Sequence, residues 1–157
     1  MIYLQRIPAP PLDLSIACLW YCQSDPRPHA LERVLPNGSA QLIINLAEDQ
    51  TRGYVEDGDT LCMVTAGGTV LSGIQSRYAI IDTLEQQHVI GVSFRAGGTL
   101  PFFALPAYEA GDRDIALDDL WGQPARELRQ RLLDAPDGVA KLDVLEGALL
   151  RQWRPHR

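Results

Sequence analysis

The sequence predicts an α+β domain: an N-terminal antiparallel β-barrel or sandwich over residues 1–98, with a helical portion over 99–157 packed on it as one compact domain. Two observations carry this. Residues 1–98 break into about seven short apolar or alternating runs separated by turn residues, as in small all-β bodies. From Thr99 onward the apolar spacing turns helical. The change falls at Gly91-Val92-Ser93-Phe94-Arg95-Ala96-Gly97-Gly98, a strand that ends in a charged residue and a glycine pair.

The totals set the bounds. At 157 residues, 46% of them hydrophobic, the chain can bury a full core without staples. No apolar run reaches the roughly 20 residues of a membrane span and no signal segment opens the chain, so a cytoplasmic protein without membrane contact is expected. Cys18, Cys22 and Cys62 form no CxxC pair. His29, His88 and His156 lie far from any cysteine pair, so neither metal nor cofactor is expected. Residues 1–98 hold 6 basic and 10 acidic groups (−4) and residues 99–157 hold 8 and 10 (−2), the net charge being −6. A chain so short of positive charge should not bind DNA by itself. Its last seven residues are the exception, with Arg151, Arg154 and Arg157 and no acid.

Taken in order, Pro8, Pro10 and Pro11 suit an extended lead-in that cannot join a central ladder. Ser15–Cys22 is apolar on both faces, a strand covered on both sides. Residues 23–31 read as a loop, His29 included. Asn37-Gly38 is a strong turn signal that joins a short strand to a strand over 40–47. There Leu42, Ile44 and Leu46 share one face, and Gln41, Ile43 and Asn45 the other. Gln41 and Asn45 suggest either a lined cavity or an exposed edge. Residues 48–59 read as an acidic stretch ending in the loop tip Asp57-Gly58-Asp59. Four more strands follow at 61–65, 69–74, 77–83 and 88–95. Thr99 can open a helical turn carrying Phe102 and Phe103, and Gly122 can stop a segment ending in Leu120-Trp121. Pro124 opens a helix through Ala135 with Ala125, Leu128 and Leu132 on one stripe. Asp137-Gly138 begins the last helix, to about Trp153. Its stripe holds Val139, Leu142, Leu145, Leu149, Leu150 and Trp153, and docks on its own β portion or on a second copy. Glu146 inside that stripe calls for a basic partner. Gly147 calls for close packing, since mid-helix glycine costs about 1 kcal/mol against alanine.

No catalytic constellation stands out. Ser72 lacks a strand–elbow–helix setting, Asp57 and Asp59 sit on a loop tip, and His88 has no acid at ligand spacing. Arg95 is the best polar candidate, either clamping an anion with nearby backbone N–H groups or pairing with a carboxylate to hold the β portion to the helices.

Pro11-Leu12, Leu19-Trp20, Val34-Leu35-Pro36-Asn37-Gly38, Gly91–Gly98, Leu117-Asp118-Asp119-Leu120-Trp121-Gly122 and Leu145-Glu146 span almost the whole chain in order. In these the sequence resembles the N-terminal domain of AraC-type bacterial transcription regulators, departing at Ala96, where that pattern usually has proline. The resemblance implies a cupin-like regulatory domain that senses a small-molecule effector and dimerises. DNA would be met only through a helix-turn-helix module that begins about where this chain stops. Ligand contacts are expected near Trp20, Asn45, Phe94 and Arg95, with no catalytic residue. A cupin-like small-molecule enzyme and a pure dimerisation module with a filled interior are the alternatives.

Overall fold

The structure, a computed structural model, describes residues 1–155 apart from Arg27 and His29. The loop reading of His29 therefore lies outside the described residues. Among the described residues ten strands occur in chain order: β1 (Ile2–Arg6), β2 (Ile16–Gln23), β3 (Leu31–Val34), β4 (Gln41–Asn45), β5 (Gln50–Asp57), β6 (Thr60–Gly67), β7 (Thr69–Ser72), β8 (Ala79–Asp82), β9 (His88–Phe94) and β10 (Asp114–Ala116). They are followed by α1 (Leu117–Trp121), α2 (Gln123–Asp134) and α3 (Gly138–Gln152). One sheet runs β1-β2-β9-β4-β7-β10 and the other β3-β8-β5-β6, antiparallel throughout.

The α+β class holds, in its sandwich form. Neither sheet closes on itself, because each ends in strands with one hydrogen-bonded neighbour, so the barrel alternative is corrected. Three strands escaped the sequence reading. β1 stands where the prolines predict an extended lead-in; it pairs only with β2, so the prolines after it interrupt nothing. The acidic stretch is mostly β5, whose residues 55–57 are exposed and can carry charge without cost to pairing. β10 is three residues long. The Asn37-Gly38 turn is present, Gly38 having φ 75°, but it links strands of different sheets.

One face of the six-stranded sheet makes the core. Leu19 and Tyr21 of β2, Ile90, Val92 and Phe94 of β9, Leu42 and Ile44 of β4 and Leu71 of β7 are buried in one cluster with α1–α3. Ala125, Leu128 and Leu132 of α2 and Leu142, Leu145 and Leu149 of α3 meet them there, each fully buried large aliphatic stabilising by about 1.5–3 kcal/mol. The stripe on α3 thus docks on its own sheet, and Val139 and Leu150, 56% and 51% exposed, fall outside it. Asp137 caps α3 by accepting from Ala140 N at 2.8 Å. Lys141 is buried, and its Nζ donates to the carbonyls of Leu132 and Ala135 at 2.6 and 2.8 Å, closing the end of α2.

The expected basic partner of Glu146 is Arg6, whose Nη1 lies 3.2 Å from Oε2, while Oε1 accepts from Ala9 N at 2.9 Å. The expected close packing at Gly147 is absent, because a Cβ there would meet only Arg151 Nη1, at 3.6 Å. Gly138, at the start of the same helix, is the tight position: its Cβ would stand 2.7 Å from the Tyr21 ring and 2.8 Å from Leu4 Cδ1. Opposite outcomes follow for one substitution in one helix. Gly147→Ala raises stability in urea unfolding by up to about 1 kcal/mol. Gly138→Ala lowers it by about 1–3 kcal/mol, since the buried Tyr21 cannot give way.

Candidate functional site

Side chains alternate along a strand, so the residues between the core positions lie on the other face of the six-stranded sheet. The register assembles them into rows. Gln5, Trp20, Gly91, Ile43, Val70 and Ala116 are consecutive partners across all six strands. The next row on that face is Cys18, Ser93, Gln41, Ser72 and Asp114. The row on the opposite flank is Tyr3, Cys22, Val89 and Asn45. Cys18, Trp20, Gln41, Ile43, Ser72 and Ser93 are all half-buried.

Trp20 is the centre of this face. A Cβ at Gly91 would lie 2.3 Å from Trp20 Cζ2, so the indole rests directly on the Gly91 backbone. Beside it stand Gln41 and Ser93, whose side chains have no hydrogen-bond partner among the described residues, and Ser72, 3.5 Å from Gln75 Nε2. An aromatic plate flanked by neutral donors and acceptors can hold an uncharged ligand by stacking and hydrogen bonds. Asp114, at the sheet edge, is the one charge in the two central rows.

The four residues expected around a ligand part company. Trp20 and Asn45 share this face. Asn45 is wholly buried and its amide is engaged: Nδ2 donates to Gln50 O at 2.8 Å, and Oδ1 accepts from Ala47 N at 3.0 Å. Its carbonyl accepts from Arg129 of α2, Nη2 at 3.0 Å, so Asn45 ties the turn after β4 to a helix. Because β4 lies between β9 and β7, the exposed-edge explanation of Gln41 and Asn45 falls away. Phe94 lies on the helix face, its ring centroid 5.7 Å from that of Phe102 and 5.9 Å from that of Phe103. Arg95 is exposed and pairs with no carboxylate among the described residues; its Nε donates to Asp13 O at 2.9 Å. It borders a hollow of about 20 Å³ with Gly97 and Thr99, room for roughly one water and far below the about 300 Å³ at which small-molecule sites begin. Ser93, Ser72 and Gly91 were missed as site residues; Gly91 and Ser93, out of phase with Val92 and Phe94 on β9, and Ser72, out of phase with Leu71 on β7, carried the signal.

Two polar clusters flank the sheet. On the helix side the Tyr21 hydroxyl donates to Gln23 Oε1 at 3.1 Å and lies 2.9 Å from His88 Nε2. Burial, then the Lys141 charge, push the His88 pKa down. Beyond β8, Arg52 pairs with Glu48 and stands 3.8 Å from Glu85. Glu85, its side chain 12% exposed, has its pKa pushed up to about 7 by burial; the attraction of Arg52 works against this, and the Asp82 and Glu48 carboxylates add to it. No group of three or more His, Cys, Asp or Glu among the described residues is arranged to hold a metal ion, and no helix is long and apolar enough to cross a membrane.

Residues 4–116 match the family described as a domain of unknown function, DUF6597. The match takes in the second half of β1 and all of β2–β10 and stops before α1. No curated protein and no solved structure matches the chain.

Two measurements test this geometry. Gly91→Ala must expel the indole, so it should lose about 1–3 kcal/mol in urea unfolding and change the near-ultraviolet circular dichroism of tryptophan. For Glu85 the folded-state pKa lies above the unfolded value of 4.5, so the unfolded chain holds fewer protons between pH 4.5 and about 7. Stability should therefore fall by up to about 3 kcal/mol as pH rises through that window, and Glu85→Gln should flatten that part of the profile.

Proposed function

The chain belongs to the DUF6597 family of domains of unknown function, and from there we propose that it is the effector-sensing and dimerisation domain of an AraC-type transcription regulator. One observation carries the reading: β2, β9 and β4 bear the Trp20 face on one side and bury their other side against α2 and α3. A ligand on Trp20, Gln41 and Ser93 would load the strands on which the helices rest. Occupancy would shift the population of helix arrangements, provided the ligand binds one of them more tightly. The effector would be an uncharged small molecule with hydrogen-bonding groups, and no cofactor is required. DNA would be met through a helix-turn-helix elsewhere on the polypeptide, in keeping with the net charge of −6.

Thermal unfolding with a panel of uncharged hydroxylated and amide compounds, and charged analogues of each, tests the sensing half. A compound at about 100 times its Kd adds about 2.7 kcal/mol, and Tm should rise by roughly 5–10 °C. Trp20→Ala should abolish the rise. A response confined to charged compounds, or unchanged in Trp20→Ala, would remove this site. The regulator half is tested by the gene: codons for a helix-turn-helix beyond Arg157 are expected, and a stop codon at that point would overturn it.

A further inference from the structure

We propose that the groove between α2 and α3 binds a phosphate group carried by a small molecule, held between Arg131 of α2 and Arg151 of α3. The groove belongs to the helical layer, across the six-stranded sheet from Trp20, and stands whether or not that face takes a ligand.

Helical spacing builds it. Leu128 and Arg131 lie three apart on one stripe of α2, and Ala148 and Arg151 three apart on the facing stripe of α3. Each helix therefore supplies a buried apolar floor residue and, one turn on, an arginine. Trp121 lines the same groove and is fixed in place: its ring stacks on Phe103, centroids 5.4 Å apart, and its Nε1 donates to Phe102 O at 2.9 Å. The hollow measures about 80 Å³. Water takes about 30 Å³ apiece, so this is room for one phosphate-sized group, with the rest of its carrier left outside.

The two arginines have no other employment. Arg126 of α2 holds Gln123 and Asp118, Arg129 meets Asn45 O and Asp49, and Lys141 of α3 closes the end of α2. The side chains of Arg131, Arg151 and Gln152, which also lines the groove, make no hydrogen bond or ion pair among the described residues. Acids outnumber bases 20 to 14 in the chain, so a shortage of carboxylates does not explain two unpaired guanidinia in one groove. Arg151 lies back over the preceding turn of its own helix, Nη1 standing 3.6 Å from where a Cβ on Gly147 would be.

The arrangement selects phosphate over a carboxylate. Guanidinium forks on two walls match a tetrahedral dianion, which offers oxygens on opposite sides, whereas a carboxylate carries one charge and presents its two oxygens together. Glu127 lines the groove too, and its carboxylate is within ion-pair reach of neither arginine. It opposes the anion and limits affinity, so a Kd on the order of 1 mM is expected for inorganic phosphate alone.

Nuclear magnetic resonance titration of the whole chain with sodium phosphate to about 20 mM near neutral pH, at an ionic strength fixed with sodium chloride, tests this. The Nε–Hε resonances of Arg131 and Arg151 and the indole of Trp121 should shift together and saturate. Arg131→Gln and Arg151→Gln, both exposed, should each weaken binding by about 10-fold with unchanged far-ultraviolet circular dichroism, and Glu127→Gln should tighten it about threefold. Arg126→Gln makes the same change of charge outside the groove and should bind like the wild type. Shifts that fail to saturate, that are equally strong in either groove arginine variant, or that weaken as much in Arg126→Gln overturn the site. Sodium acetate binding as tightly as phosphate at the same ionic strength overturns phosphate as the ligand group.

Discussion

The fold depends on keeping two unlike faces of one sheet in phase. Along β9, His88, Ile90, Val92 and Phe94 point toward the helices, and Val89, Gly91 and Ser93 point away. A slip of one residue would put Val92 beside Trp20 and bury Ser93 among leucines, so register is strongly specified. Two details hold it. The β2–β9 pairing shifts between Ile16 and Cys18, which lets Ile16 join the core while Trp20 stays on the opposite face. Gly91 then admits the indole against its backbone, where any side chain would collide with Trp20 and with Leu42 O. Energy is spent on the helix face, and the opposite face is left half open.

The elements legible in the sequence were those whose signal is local. Asp137-Gly138 at the start of α3, Pro124 in the first turn of α2 and Gly122 as a stop act within a few residues and stand where the spacing put them, whereas the α3 stripe keeps Leu142, Leu145 and Leu149 and loses Val139 and Leu150 to solvent. β5 was obscured by its charges, which an open sheet tolerates. The two-sided apolar run of β2 pointed to cover on both faces, and its core side is Leu19 and Tyr21. Strand partnership was beyond reach, because nothing in Asn37-Gly38 says that the strands it joins belong to different sheets. The binding residues suffered from the same gap. Phe94 and Arg95 are neighbours of Ser93 in sequence, but on a strand a neighbour points the other way.

The stretch that carries the strongest family resemblance turns out to be architecture. Arg95 N and Nε donate to the carbonyls of Ser15 and Asp13, each at 2.9 Å. Gly97 has φ 72°, and a Cβ at Gly98 would come within 2.0 Å of Ser15 O. The chain thus closes over the segment before β2 and turns directly into the aromatic cluster of Phe102, Phe103 and Trp121, where Trp121 Nε1 donates to Phe102 O at 2.9 Å. Glycine is needed twice for different reasons, at Gly97 for the positive φ and at Gly98 because backbone meets backbone there. No anion has to be invoked for Arg95, whose bonds to main-chain carbonyls serve the same closure.

Whether a ligand on the open face could move the helices is a question of comparable energies. The helices are held by the shared core and by a few charge-assisted contacts: Arg129 of α2 to the Asn45 carbonyl and Glu146 of α3 to Arg6 and Ala9 N. Each hydrogen bond to a charged group is worth about 1.5–3 kcal/mol. Coupling between sites in proteins is commonly 1–3 kcal/mol, so breaking or making one such contact is enough for a signal. The core cannot deform continuously, because Leu19, Ile44, Ile90 and Val92 are packed without exposure. A relay would therefore work at the rim, where Asn45 is bonded both to the turn after β4 and to α2. Asn45, placed by the sequence beside the ligand, is better understood as the post through which the occupied sheet would reach the helices.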